Sequence, residues 1–362
     1  MHWGMIAPLP PYRGGITHYA TQLADALSDP YLLSFRRLYP RWLYPGRSQT
    51  DPTHQPPHYP VDWRLDPAAP RTWVNTLHAL QAANVDAALL HWWTPYLAPC
   101  LGWLARRLRQ AGIPTIYLIH NILPHERFPM DATLTRWALS PAASCIVQTP
   151  AAEKALTALL PVMPVVRLPH PVDEPPAHAR QPKNEVRLRL ELPLDQTILL
   201  MQGVFRPYKG LNLLADALAV LKQQNHPAPL VVLAGEFWRG AQPARRRLEA
   251  LGVRVMDRYI PEAGVGLYYS AADGALALAS GALSPSGALK RAMGWRLPVL
   301  VNASQLCPED ADYPGLLTFA DGDTYELADR LRQCALVPPS PVAGWQPKFT
   351  WQSFADELSL LF

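Results

Sequence analysis

The chain has 362 residues, of which 49% are hydrophobic and 17% charged, with a formal net charge of +4. That length exceeds one ordinary core and suits two, and the composition excludes a disordered chain. The basic excess is mild and no long Lys/Arg run accompanies it, which argues against nucleic acid but admits a phosphorylated small molecule or an anionic membrane surface.

In chain order the pattern alternates short apolar strands with amphipathic helices. Residues 3–8 (WGMIAP) predict a strand and 15–28 a helix; 86–93 (DAALLHWW) a strand and 97–112 a helix. Residues 114–121 predict a strand, 130–142 a helix, 144–149 a strand, 150–160 a helix and 165–171 a last strand. The stretch that follows, PVDEPPAHARQPKNE, is polar, proline-rich and without periodicity, as a linker is. The alternation then restarts with strands at 197–203, 230–236, 253–259, 274–279 and 298–302. The expected class is α/β: two doubly wound Rossmann-like domains, residues 1–172 and 186–345, joined by a linker at 173–185, with a cleft between them and a terminal helix in 346–362.

Cys100, Cys145, Cys307 and Cys334 lack CxxC or Cys/His metal spacing and read as reduced cytosolic thiols. No signal peptide is read at the start, and no apolar run approaches the ~20 residues that span a bilayer. The expected location is cytoplasmic, or peripheral at the inner face of the cell membrane.

Five stretches carry candidate chemistry, each at a strand end. In GVFRPYKGL, Gly203 permits close backbone approach, Arg206 and Lys209 suit phosphate oxygens, and Gly210 opens a helix whose N-terminus favours an anion. The alternative is a solvated basic loop. In LSPSGALKRAM, Ser284 or Ser286 is a good N-cap and Gly287 permits close approach to the helix start, as a second cradle (Ser286 and Gly287) or as an ordinary capped helix. Gly14 and Gly15 form a loop that touches a ligand by backbone or is a simple turn; it lacks the GxGxxG spacing of a nicotinamide site. His120 and Asn121, with His125 and Glu126 one loop on, could orient a substrate or shuttle protons, against the reading of His120 as a satisfied structural residue. Trp92 and Trp93 read as core or as an amphipathic-substrate surface, and SFRRLYPRWLYPGR as such a surface or a membrane contact.

Together these segments resemble a GT-B glycosyltransferase of the large retaining family 4 (glycosyltransferase group 1), bacterial type, over nearly the whole chain. GVFRPYKGLNLLADAL is the most specific match; PPYRGGITHYATQLADAL, IHNILPHE and RLPHPV match the first domain, and FTWQSFADELSLLF its returning terminal helix. The resemblance implies a nucleotide-diphosphate sugar as substrate and neither cofactor nor metal. The implied donor contacts are Gly14, Gly15, Gly203, Arg206, Lys209, Glu236, Ser286 and Gly287. His120 is implied near the transferred sugar; Asn121, His125 and Glu126 are assigned to the acceptor side. The expected acceptor, a glycan or a lipid-linked molecule of polysaccharide biosynthesis, rests on the basic-aromatic composition of FRRLYPRWLYPGR. In one respect the chain departs from the family: Leu283 and Arg291 occupy the places of two glutamates, while PSGAL resembles a branch with a QSGVL-like segment. A non-catalytic glycosyltransferase-like partner is the second reading. A GT-B epimerase would need acidic residues flanking the sugar, and no convincing pair is present.

Overall fold

The computed structural model describes residues 1–44, 46–53, 56–124, 128–279 and 286–361. They form two compact units: Met1–Tyr44, Ser48–His170 and Trp351–Phe362 in the first, Pro45–Arg47 and Pro171–Thr350 in the second.

The first unit contains β1 (Trp3–Ile6), α1 (Gly15–Ala26), β2 (Tyr31–Phe35), β3 (Asp62–Leu65), α2 (Pro70–Ala82), β4 (Ala87–Trp92), α3 (Ala98–Gln110), β5 (Thr115–Ile119), α4 (Asp131–Leu139), β6 (Ser144–Val147), α5 (Pro150–Leu159) and β7 (Val165–Arg167). Its strands are all parallel, in the order β3-β2-β1-β4-β5-β6-β7. β4 and β5 are buried throughout, which is why they read as continuous apolar runs rather than alternating ones. With the right-handed crossovers that parallel units adopt, this strand order sets α1 on one face and α2, α3, α4 and α5 on the other.

The second unit contains α6 (Lys183–Arg189), β8 (Ile198–Gln202), α7 (Leu211–Gln223), β9 (Leu230–Ala234), α8 (Gln242–Ala250), β10 (Arg254–Met256), α9 (Glu262–Ala271), β11 (Gly274–Ala277), α10 (Gly287–Gly294), β12 (Val299–Asn302), β13 (Leu316–Phe319) and α11 (Thr324–Leu336). Its parallel sheet runs β10-β9-β8-β11-β12-β13. The chain ends in α12 (Trp351–Leu360), which belongs to the first unit and packs on α1.

Several elements had no counterpart in the sequence reading. β2 runs straight into a basic, aromatic stretch, β3 (DWRL) is a partly exposed edge strand with two charges in four residues, and α2 starts without a side-chain cap. Residues 173–185, the expected linker, carry structure of their own within the second unit. Asp173 is buried, Arg180 donates to the carbonyls of Gly294 and Trp295, and α6 begins at Lys183.

α6 is tied to the sheet by one buried guanidinium. Arg187 donates to the carbonyls of Ala271, Leu194 and Gln196 at 2.9–3.1 Å and to Asp273 Oδ2 at 2.6 Å. Asp273 also accepts from Lys183 Nζ and the Ile198 backbone N–H. Asp273→Ala strands that buried charge and should cost about 3–5 kcal/mol, read as a drop in denaturant midpoint. A midpoint near that of the wild type would show that Arg187 does not depend on this partner.

Candidate functional site

In the second sheet the chain winds outward from β8 to β9 and β10, then crosses back to place β11 on the other side of β8. The exits of β8 and β11 are therefore a topological switch point, where helices leave in opposite directions and a crevice opens for ligands. Gly203, Arg206, Lys209 and Gly210 follow β8; Ser286 and Gly287 begin α10, the next helix after β11. The fold thus brings the two expected cradles to adjacent strand exits of one sheet.

The β8 exit is built by close backbone approach. Gly203 has φ 131 and Gly235, just past β9, has φ 154. A Cβ at Gly235 would lie 1.7 Å from the Gly203 carbonyl oxygen, so no larger residue fits there. The two exits continue as a pair. Phe205 N–H donates to the Glu236 carbonyl, Trp238 N–H donates to the Phe205 carbonyl, and the Phe205 and Phe237 rings sit 4.5 Å apart. Gly210 in turn presses the start of α7 against the exit of β11, its missing Cβ 2.1 Å from the Leu278 carbonyl oxygen. Around Gly203, by contrast, a Cβ would meet open space. Arg206 and Lys209 are half-buried. The Arg206 guanidinium stands 5.5 Å from the Tyr208 ring and 5.6 Å from the Trp238 ring, and Lys209 Nζ stands 5.4 Å from Tyr208. Both cations are thus held near aromatic faces at the head of α7.

Glu236 is buried and its Oε1 accepts the Arg47 backbone N–H at 2.9 Å. Arg47 also donates to Asp257 Oδ2, which Arg245 shares, while Asp257 Oδ1 accepts the Phe237 N–H. The sequence reading missed Arg47 and Asp257 because the pair is 210 positions apart.

At the second cradle Ser286 is buried and its Oγ caps α10 by accepting the Leu289 N–H, while Gly287 faces open space. Arg291 is committed to structure: its Nε donates to Asp173 Oδ2 at 2.6 Å and its guanidinium pairs with Glu262 at 3.1 Å. Although burial opposes the charge, Glu262 and Asp173 hold its pKa above the usual arginine range. The preceding Lys290 forms a buried ion pair with Asp310. Leu283 lies outside the described residues.

In the first unit, Gly14 (φ 117) and Gly15 open α1 at the exit of β1, next to β4 at that sheet's own switch point, and neither would crowd a Cβ. His120, buried at the end of β5, has Nε2 2.9 Å from Nδ1 of His91 on β4. Tyr19 of α1 lies edge-on to both rings, to His170 and to Trp351 of α12, and its hydroxyl accepts from Gln148 Nε2. His91, Tyr19 and His170 were missed; the one signal was a histidine inside an apolar strand end, HWW. Trp92 is fully buried, and Trp93 donates to the Tyr39 hydroxyl at 2.6 Å. Asn121 is half-buried beside His120, whereas His125 and Glu126 lie outside the described residues.

Among the described residues no group of three or more His, Cys, Asp or Glu is placed to hold a metal ion, and the four cysteines are buried thiols outside any disulfide. Nor is any helix there long and apolar enough to cross a membrane.

No family model matches the chain, and neither does any curated protein. Solved structures match it over nearly its whole length. HepE from Anabaena, in complex with UDP and glucose, is 16% identical with TM-score 0.68, covering 100% of this chain and 99% of that one. Sucrose-phosphate synthase from Thermosynechococcus elongatus is 19% identical with TM-score 0.65, covering 99% and 98%. The E. coli trehalose-6-phosphate protein bound with UDP-2-fluoro glucose is 14% identical with TM-score 0.62, covering 93% and 92%. The architecture is therefore the GT-B fold of these glycosyltransferases, two parallel sheets flanked by helices.

Burial pulls the His91 pKa down to about 3, and burial with His91 and His170 nearby pulls His120 well below the usual histidine range. Both rings are neutral in the fold at pH 7. Below about pH 6.5 the unfolded chain gains protons that the folded chain refuses, so stability falls with pH, by roughly 1.4 kcal/mol per unit per ring. The melting temperature should therefore drop between pH 7 and pH 5, and His91→Asn should flatten that drop. Identical pH slopes for the two proteins would contradict it.

Proposed function

We propose that the protein is a glycosyltransferase that moves a sugar from a nucleotide-diphosphate sugar to a glycan or lipid-linked acceptor, with retention and without a metal. The observation that carries this is the switch point itself: two helix N-termini and two half-buried cations converge on adjacent strand exits. A departing nucleoside diphosphate needs its growing negative charge neutralised, and fixed cations with helix dipoles do that without proton transfer to the leaving group. In this reading Arg206 and Lys209 hold the diphosphate, and Gly203, Ser286 and Gly287 let it approach backbone N–H groups. Glu236 shapes the nucleotide pocket. Gly14 and Gly15 line the sugar side of the first unit and His120 orients the sugar. Asn121, with His125 and Glu126, serves the acceptor. The acceptor hydroxyl attacks on the face the phosphate leaves, and that phosphate takes its proton. The same reading places the protein in the cytoplasm, working at an anionic membrane surface in polysaccharide biosynthesis. UDP in the HepE complexes makes a uridine nucleotide the first donor to try.

A second reading, a binding partner that does not turn over its ligand, is favoured by Arg291. Where the family that the sequence resembles has a glutamate, this chain has a cation paired with Asp173 and Glu262. Arg206→Ala and Lys209→Ala should each cut transfer by about 10²–10³-fold while leaving the melting temperature unchanged. Near-full turnover in both variants would overturn the site assignment, and donor binding without transfer or hydrolysis in the wild type would favour the partner reading.

A further inference from the structure

α2, α3 and α4 pack side by side over one face of the first sheet. These helices include Arg71, Arg106, Arg107, Arg109 and Arg136 and a single carboxylate, Asp131. Asp131 is buried, and its Oδ2 accepts the Phe128 N–H. No exposed negative charge offsets the arginines on these helices, and none of the five pairs with a carboxylate among the described residues. In the loop after α2, Asp86 is occupied by the His2 N–H.

The same face is aromatic. The Arg106 guanidinium lies 4.0 Å over the Trp137 ring and that of Arg107 5.5 Å over Trp103, which neighbours Trp73. Trp137 is 42% exposed, and at the head of α4 Met130 is 61% and Phe128 71% exposed. A soluble polyanion would engage the arginines but leave Phe128 and Met130 in water. The headgroup region of a bilayer takes both, guanidinium on phosphate and indole or thioether at the acyl boundary.

We propose that the α2–α3–α4 face docks on an anionic lipid bilayer. This deepens the membrane part of the proposed function and moves it away from the stretch at 34–47 on which composition placed it. There Phe35 and Leu38 are core, Arg37 pairs with Asp66 and Arg47 with Asp257, leaving Trp42 as its exposed aromatic.

The test is co-sedimentation of the full chain with vesicles of phosphatidylglycerol in phosphatidylcholine, against pure phosphatidylcholine. Binding should need the anionic lipid and weaken with salt. Arg107→Glu with Arg109→Glu should lower vesicle affinity about tenfold or more, and Phe128→Ser with Met130→Ser should lower it too. Arg41→Glu with Trp42→Ser should not. Circular dichroism and a nucleotide-sugar-induced rise in melting temperature, unchanged in all three, separate loss of docking from loss of fold or of donor binding. Absence of vesicle binding, equal binding to neutral vesicles, release by the Arg41/Trp42 variant alone, or tighter retention on a single-stranded oligonucleotide than on vesicles would each overturn the proposal.

Discussion

Where β8 and β9 leave the second sheet, their backbones pass closer than any side chain allows. The missing Cβ of Gly235 would sit 1.7 Å from the Gly203 carbonyl oxygen, and both glycines have positive φ. Everything at the candidate site follows from that approach. It keeps the two exits paired as far as Phe205 and Phe237, whose tilted rings pack 4.5 Å apart beside the turn. It leaves open space at Gly203 and fixes Arg206, Pro207, Tyr208 and Lys209 in a short turn ahead of α7. Gly210 then repeats the device against Leu278, setting the start of α7 beside the exit of β11. A rigid positive end to a strand–helix unit is the result, which suits an anion that must be bound and released.

The second cradle solves a different problem. Its helix is capped by its own Ser286 and pinned by Lys290 to Asp310 and by Arg291 to Asp173 and Glu262. The position that resembles a family glutamate is thus spent on holding residues after His170 against α10. Gly294, whose Cβ would lie 2.0 Å from the Asp173 carbonyl oxygen, belongs to the same contact. Under the proposed function, a cation at this position offers no acceptor to a ribose hydroxyl, which would leave more of the donor binding to Arg206, Lys209 and backbone N–H groups.

The α/β alternation was legible because the buried central strands are unbroken apolar runs and their helices have a clear period. The edges were not: DWRL at β3 is half-buried at three of its four residues and carries two charges, and YLLSF at β2 merges with a cationic stretch whose Phe35 and Leu38 are core. Residues near in sequence, such as Gly203 to Gly210, declared themselves through turn chemistry. Contacts between distant segments did not. His91 with His120, Arg47 with Asp257 and Arg187 with Asp273 are each meetings of segments that only the strand order brings together, and the arginine face of α2, α3 and α4 is spread over three separate stretches.

The central claim is that the β8–β11 switch point holds the diphosphate of a nucleotide-sugar. A ligand that binds only the folded state must stabilise it. The most direct measurement is therefore the melting temperature of the full chain across a panel of nucleotide-diphosphate sugars, their free diphosphates and the matching monophosphates. The account predicts that one nucleotide raises it as both sugar conjugate and diphosphate, and less or not at all as monophosphate. A flat response to every diphosphate at millimolar concentration would contradict it.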